Sequence, residues 1–551
     1  MKLKKICIEG FRSIKEPLTL ELNNVNALIG PNNTGKSNIL LALYKVLGKN
    51  WITKYAFEEQ DVFNEDPEMD IKIDIFFSEP FKYEQFRGFL IDIPRIQFHY
   101  TKYKIGANKG ERRLEKKCLK ANGDMIFCFK NRPIKGSRPQ MVPLSTIPQE
   151  VQENLPVIYI SAARNLKYHL PKSKNSLLGT LMEDINKDFS NPENKLVFNE
   201  GAENEVTISR IDHFQNCINE AIEALKTEEF EKLELAIKTN ALEQLGFDPD
   251  TETDKLDLFF NPLTSLGFYK SLEIFVKEYD YSVNATELGA GFQNAIVLAI
   301  LKAFEERRKN GALFLIEEPE MYLHPQMQRS LYKTIRKIGE TNQIIYITHS
   351  PNFLTIPNFD EIILISKNEN GTVAKQSSLE VDEDLRKKFR KELNSERNEF
   401  FFAKKALIVE GDTEKMAFPE FASRMGIDLD KVGSSIIEVG GKRNLVDFID
   451  LALSYNIPVG VVYDTDSSDF SDNDEEVKYN ELLDSYTEKN VAVFSFNENY
   501  EKELRNYYGE DEYQKYCNKY GRNKTQRGRL MAMDEDIVIP DFVKPIIEWM
   551  K

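Results

Sequence analysis

The segment Gly30-Pro31-Asn32-Asn33-Thr34-Gly35-Lys36-Ser37 constrains this chain more than any other. It fits GxxxxGK[ST] without a mismatch, between the apolar run VNALI and a stretch carrying Ile39, Leu40, Leu43 and Leu47 at helical spacing. Strand, glycine-rich turn and helix are therefore predicted in that order. Glycines let backbone N–H groups close around phosphate oxygens, and the helix N-terminus adds a favourable dipole. Lys36 is expected to neutralise β/γ charge and the Ser37 hydroxyl to ligate Mg²⁺, with Gly30, Asn33, Thr34 and Gly35 completing the cradle. Such a turn hangs from a mostly parallel α/β sheet, and the alternation of strand-like and helical segments downstream agrees.

Two later segments extend the same chemistry. ALFLIEEPE is an apolar strand delivering Glu317 and Glu318 at its end. A carboxylate there holds the Mg²⁺ hydration shell, and the next polarises an attacking water. QIIYITHSP places His349 just past another strand end, where it would sense a γ-phosphate.

The chain has 551 residues, too many for one ordinary domain. With 73 Lys plus Arg against 89 Asp plus Glu, the formal charge of −16 excludes a simple polycationic nucleic-acid coat but not a local basic groove on an acidic body. Hydrophobic residues at 41% and charged residues at 29% describe a globular chain. Cys7, Cys118, Cys128, Cys217 and Cys517 are scattered and odd in number, which argues against a disulfide framework or zinc site and fits a reducing compartment. No run approaches the roughly 18 apolar residues of a membrane span, and the first residues lack a signal-peptide core. The expectation is a cytoplasmic chain with no membrane partner.

The texture changes along the chain. Lys5 to Glu9 and Leu18 to Leu22 alternate as strands do, and short strands, with a basic stretch among them, are expected from about 70 to 160. From about Asn165 to Thr251 a Glu- and Lys-rich helical module interrupts. LDLFF and LEIFVKEY resume the strands. A charged helical connector follows, and near residue 400 the strand–helix grammar restarts. The expected divisions are 1–164, 165–251, 252–380, 381–404 and 405–551.

That last division carries acids at strand ends. ALIVEGDTE puts Glu410 after a strand and Glu414 at the next helix start, and VVYDTDSSD puts Asp464 and Asp466 after another. In a parallel sheet both ends open on one edge, so the carboxylates should converge. Such a cluster is self-repelling unless a divalent cation relieves it, and oxygen ligands suit Mg²⁺, Mn²⁺ or Ca²⁺. Glu501 and Glu503 follow a later strand as a second acidic patch. The stretch YQKYCNKYGRNKTQRGR is basic and interleaved with Tyr513, Tyr516 and Tyr520, a mixture suited to a DNA backbone, with Lys524 placed to stabilise scissile-phosphate charge.

The first set of motifs resembles the ATP-binding-cassette type of ATPase, in its SMC-like and repair branch. That resemblance makes ELGAGFQNA the signature segment, whose Gly289 and Gly291 would contact nucleotide held by another subunit, although its usual Ser is absent. Gln60 and Arg164 would be supporting residues of the ATP site. The second set resembles a Toprim domain. Together, GPNNTGKS, ELGAGFQNA, LIEEPEMYLHP, ITHSP, FFAKKALIVEGDTE and VVYDTD resemble the overcoming-lysogenization-defect family of nucleases. The fold implied is α/β: a cassette ATPase with an inserted helical dimerisation module, then a C-terminal doubly wound Toprim domain. Implied too are ATP and Mg²⁺ as cofactors, DNA as substrate, a homodimer or homotetramer, and anti-phage roles, some alongside a helicase-like or retron reverse transcriptase and RNA partner. Carried over, Glu410, Glu414, Asp464 and Asp466 would bind metal, Glu501 matches a later acid, and Lys524 matches a late lysine more loosely.

The leading expectation is an ATP-regulated, metal-dependent DNA endonuclease or nickase. An ATP-dependent DNA-binding or assembly factor with a non-catalytic Toprim platform is the alternative. A topoisomerase-like enzyme would need a nucleophilic Tyr, and none of the 23 stands out.

Overall fold

The computed structural model describes the chain apart from residues 49–51, 86–87, 130–140, 145, 163–165, 167–169, 173–175, 199–205, 246, 252–254, 256–262, 279–280, 308–310, 355, 380–382, 392–395, 467–474 and 522. The expected strand LDLFF and Arg164 fall outside the described residues. Two units emerge, one of Met1–Ala162 with Asn310–Lys551, the other of Ala163–Lys309.

In the first unit, a six-stranded sheet runs Gly371–Gln376, Ile362–Asn368, Val25–Ile29, Gln343–Ile347, Leu313–Glu317, Val157–Ile160. Every neighbouring pair is parallel except the hairpin Ile362–Asn368 with Gly371–Gln376. Val25–Ile29 and Gln343–Ile347 are buried along their whole length, which is why they read as unbroken runs. The helix Lys36–Leu47 buries Ile39, Leu40, Leu43 and Leu47 in a shared core. Because Val25–Ile29, Leu313–Glu317 and Gln343–Ile347 are parallel, the segments following them gather at one edge.

A second, antiparallel sheet orders Leu18–Glu21, Leu3–Glu9, Ile71–Gln85, Phe89–Lys102 and Arg112–Leu119. Two of its strands are 15 and 14 residues long, where the sequence suggests short ones. Pro80 explains the misreading: the register shifts between Phe76 and Phe81, and the strand passes from a buried to an exposed half.

Beyond the helix Glu383–Lys391 and the 3₁₀ segment Arg397–Phe402 lies a four-stranded parallel sheet, ordered Ser434–Glu438, Lys405–Val409, Val459–Asp464, Ala492–Phe496. Leu407 and Val409 pack with Phe418, Phe421, Tyr500 and Ile547. Ala406 and Ile408, alternating onto the opposite face, are also buried, so both faces of the strand are covered. Two consecutive side chains tie this sheet to the first. The Asn398 amide donates to Pro351 O (2.8 Å) and Leu354 O (2.9 Å), just beyond His349. Arg397 donates to Glu438 O (2.7 Å) and to the Glu438 carboxylate (2.9 Å). The buried Tyr455 hydroxyl adds bonds to Phe359 O and Ile362 O.

The second unit holds helices Leu177–Phe189, Arg210–Leu225, Glu228–Leu245, Ser265–Lys270 and Ala290–Arg307, with hairpins Lys195–Phe198/Val206–Ser209 and Phe275–Glu278/Tyr281–Asn284. Ser176 and Ser209 cap their helices by accepting from Gly179 N and Asp212 N. Phe214 stacks edge-on with Phe189 and Phe268. Within Glu228–Leu245, Leu242 is buried, whereas Leu233, Leu235 and Leu245 are exposed.

Candidate active sites

The strand Val25–Ile29 ends in a turn whose backbone requires glycine twice. Gly30 has φ 137°, and a Cβ there would stand 2.0 Å from Ile365 O. Gly35 has φ 99°, and its Cβ would meet Thr372 Oγ1 at 2.2 Å. Asn33, at φ 63°, occupies a left-handed position that Asn tolerates. Thr34 Oγ1 donates to Pro31 O (2.9 Å). Thr372 Oγ1 ties the turn down by donating to Thr34 O and sharing a hydroxyl–hydroxyl hydrogen bond with Ser13 Oγ, both at 2.7 Å. Lys36 Nζ donates to Gly30 O (2.8 Å) and Pro31 O (2.7 Å). Burial pulls its ammonium down to a pKa of about 8, against the opposing pull of Glu318.

A cavity of about 240 Å³ opens here, lined by residues 32–38 together with Ser13, Glu318, Ile347 and His349. Glu318 sits at φ 41° and donates its N–H to Ile347 O (2.9 Å), which turns the chain into the cavity past the strand end. Burial, then the nearby Lys36 charge, lowers the His349 pKa, and Glu318 opposes them. Glu317 points to the neighbouring strand, where its Oε2 accepts from Ala162 N (3.3 Å). The sequence motifs thus meet in part: Asn33, Thr34, Gly35, Lys36 and Ser37 line one cavity with Glu318 and His349, whereas Gly30 and Glu317 are not among its lining residues.

Glu320 was not anticipated. Its Oε1 accepts from Thr348 Oγ1 (2.9 Å) and His349 N (2.6 Å), fixing the histidine loop, and burial pushes its carboxyl upward. Asp61 is fully buried between Arg12 (2.9 Å) and Lys45 (2.7 Å), three residues too far apart in the chain to be paired by eye. Gln60 is exposed and donates to Glu58. Gly289 and Gly291 lie in the second unit, at the start of the helix Ala290–Arg307, where Phe292 N donates to Gly289 O (3.0 Å).

At the other sheet, Lys405–Val409 and Val459–Asp464 are hydrogen-bonded neighbours, so the acids that follow them are adjacent. Glu410 Oε1 accepts from Asp464 N (2.8 Å). Asp464 Oδ1 accepts from Tyr500 N (3.1 Å). Asp466 adopts φ 50° and donates its N–H to Glu498 O (2.9 Å), which turns it back toward the edge. Glu414 lies buried in the first turn of the helix Asp412–Arg424. Burial first, then Glu410, Glu414, Asp466 and Glu501, raise the Asp464 carboxyl to about 8. Burial likewise raises Glu410 to about 7, although Asp464 N and Lys442 oppose it. Glu414 rises to about 7 by burial, then Glu501, Glu410 and Asp412.

Lys524 and Glu501 do come together, with Nζ 3.5 Å from Oε1. The basic, tyrosine-rich stretch is only partly a surface. Tyr513 is fully buried and accepts a hydrogen bond from Arg527 (3.1 Å), itself buried, so this pair is core. Sequence reasoning missed Lys442 and Glu476, which face the same edge (3.6 Å). Gly440-Gly441-Lys442, just past the parallel strand Ser434–Glu438, was the available signal.

The donor set fits a hard divalent cation. Several partly desolvated carboxylates raise one another's pKa, the repulsion such an ion relieves, and every donor is oxygen. Among the described residues, no three His, Cys, Asp or Glu side chains yet gather at ligand distance of one point. The acids are coupled neighbours rather than a closed cage.

Residues 1–354 match the family described as AAA ATPase domain, and residues 401–466 match the overcoming lysogenization defect protein-like Toprim domain. An OLD nuclease of Thermus scotoductus is 28% identical over 476 residues, spanning 84% of this chain and 82% of that protein. Endonuclease GajA of Bacillus cereus is 25% identical, spanning 80% and 71%. The Old nuclease of Escherichia phage P2 is 24% identical, spanning 85% and 77%.

Proposed function

Since the chain belongs to the family with an AAA ATPase domain and carries an overcoming-lysogenization-defect-like Toprim domain, we propose that it is an ATP-hydrolysing, divalent-metal-dependent DNA endonuclease or nickase of anti-phage defence. One observation carries this reading: Glu410 and Asp464 bond to each other at adjacent strand ends, in a unit that also contains the phosphate cradle.

In the cradle, backbone N–H groups of residues 32–37 and Lys36 would hold the phosphates, and Ser37 and Glu317 would hold Mg²⁺. Glu318 orients water and His349 senses the γ-phosphate; Gly289 and Gly291 contact nucleotide bound by a second copy. At the acid edge, Glu410, Glu414, Asp464, Asp466 and Glu501 would hold Mg²⁺ or Mn²⁺, which would supply Lewis acidity. Glu410 and Asp464 fix the relative position of their loops, and Lys524 meets charge on the scissile phosphate. ATP hydrolysis gates access to DNA rather than driving cleavage. Residues 165–251 serve dimerisation in a homodimer or homotetramer, in the cytoplasm; a helicase-like or reverse transcriptase and RNA partner is a further element of this reading.

Supercoiled plasmid incubated with Mg²⁺ or Mn²⁺, with and without ATP, tests it. Nicked or linear product is expected. Binding without product would instead support an assembly factor with a non-catalytic platform, a reading favoured by the open arrangement of the acids. Relaxed closed circles would point to strand passage.

A further inference from the structure

Lys442 lies at the acid edge. Its side chain is 9% exposed. Nζ donates to Asp464 O (2.6 Å) and stands 3.5 Å from Asp466 Oδ2 and 3.6 Å from Glu476 Oε2. Its own backbone is pinned, since Tyr479 Oη donates to Lys442 O (3.0 Å) and the preceding Gly441 N donates to Glu410 O (3.0 Å). One ammonium therefore grips the backbone of the strand-end aspartate and faces two further acids. A lysine withdrawn from water to this extent is tolerable only as a counter-charge. A single positive charge is too little for the acids that surround it, and a divalent ion entering the same carboxylates repels it at short range.

We propose that Lys442 is a positioning residue that acts as the built-in counter-cation of the acid edge. It holds Asp466, Glu476 and the Asp464 backbone when no divalent ion is bound, and it competes with that ion for the carboxylates. This rests on the reading of the edge as a metal site. Arg443, its chain neighbour, pairs with the same Glu476 from outside, so Glu476 stays anchored when the metal displaces Lys442 from its acids. The sign that follows is unusual for a side chain inside a metal site: removing it tightens metal binding.

Lys442→Met in the full chain removes the charge and keeps an unbranched apolar stem. Mn²⁺ titration by calorimetry should show binding about tenfold tighter than wild type. In chelator the variant should melt several degrees lower, and the gap should close at saturating Mn²⁺. Lys442→Arg should restore wild-type behaviour on both counts. An equal loss of melting temperature with and without Mn²⁺, or unchanged or weaker Mn²⁺ affinity, would overturn the proposal. Should Lys442→Met fail to fold, Lys442→Gln carries the same comparison. Asp466→Asn separates the two readings. If wild type binds Mn²⁺, Asp466→Asn does not, and Lys442→Met is unchanged, the Lys442 proposal alone fails. If wild type takes up no Mn²⁺, the metal reading fails and takes this proposal with it.

Discussion

Lys36 and Lys442 are both buried lysines at the carboxyl edge of a parallel sheet, yet their surroundings are opposites. Lys36 rests on two backbone carbonyls in a cradle of glycine and amide groups. Lys442 rests on one carbonyl among carboxylates. The first site is pre-shaped to receive negative charge, because its donors are backbone and cost nothing to reorganise. The second is a concentration of negative charge, its carboxyls raised by burial and by one another, with Lys442 opposing them. One chain thus sets backbone donors at one sheet edge and coupled carboxylates at another.

The largest expected effect separates the sites. Asp464→Ala should lower DNA cleavage by on the order of a hundredfold or more, the rate equivalent of several kcal/mol of lost metal chemistry. ATP hydrolysis, followed by phosphate release, should largely survive; retained cleavage would refute the assignment. Next, Lys36→Ala should weaken ATP binding by roughly ten- to a hundredfold, as loss of a charged hydrogen-bonding group does. Fluorescent-nucleotide titration reads this, and unchanged affinity would break the contrast between the two lysines.

A third prediction concerns pH in metal-free protein. Asp464, Glu410 and Glu414 have folded-state pKa values near 8, 7 and 7, above the carboxylate values of an unfolded chain. The folded state therefore binds protons more tightly. The contribution of these groups is full below about pH 4 and is lost as pH rises through 7 to 8. Melting temperature in chelator should fall between pH 5.5 and 8.5, and Mn²⁺ should stabilise most at the upper end; a flat profile would remove the idea of stored repulsion. The smallest effect is on stability: Lys524→Ala should change it by less than about 0.5 kcal/mol, since Lys524 itself is exposed and its contact with Glu501 is long at 3.5 Å. Denaturant melts check that, while plasmid cleavage should fall clearly.

What the sequence revealed follows from how locally each feature is encoded. The cradle was legible because Gly30 and Gly35 satisfy local backbone demands that no other residue meets. Glu410, Asp464 and Asp466 were legible because apolar strands announce the acids that follow them. Lys442 and Glu476 were not, because their meaning depends on a neighbouring strand and on a helix beyond it. Asp61 escaped for the same reason, its partners being Arg12 and Lys45. The 15-residue strand was misjudged where Pro80 and exposed polar residues erased the alternation midway. The burial of Tyr513 against Arg527 shows the converse error: a basic aromatic run looks like an outer face until a second helix packs on it.

Arg397 and Asn398 give the molecule a mechanical property that neither site has alone. Their Cα atoms are about 3.8 Å apart, yet one grips the segment beyond His349 and the other Glu438 at the end of the acid sheet's edge strand. Like a wishbone, the two side chains spring from one peptide link and hold the segment after His349 and the edge strand of the acid-bearing sheet at the same time.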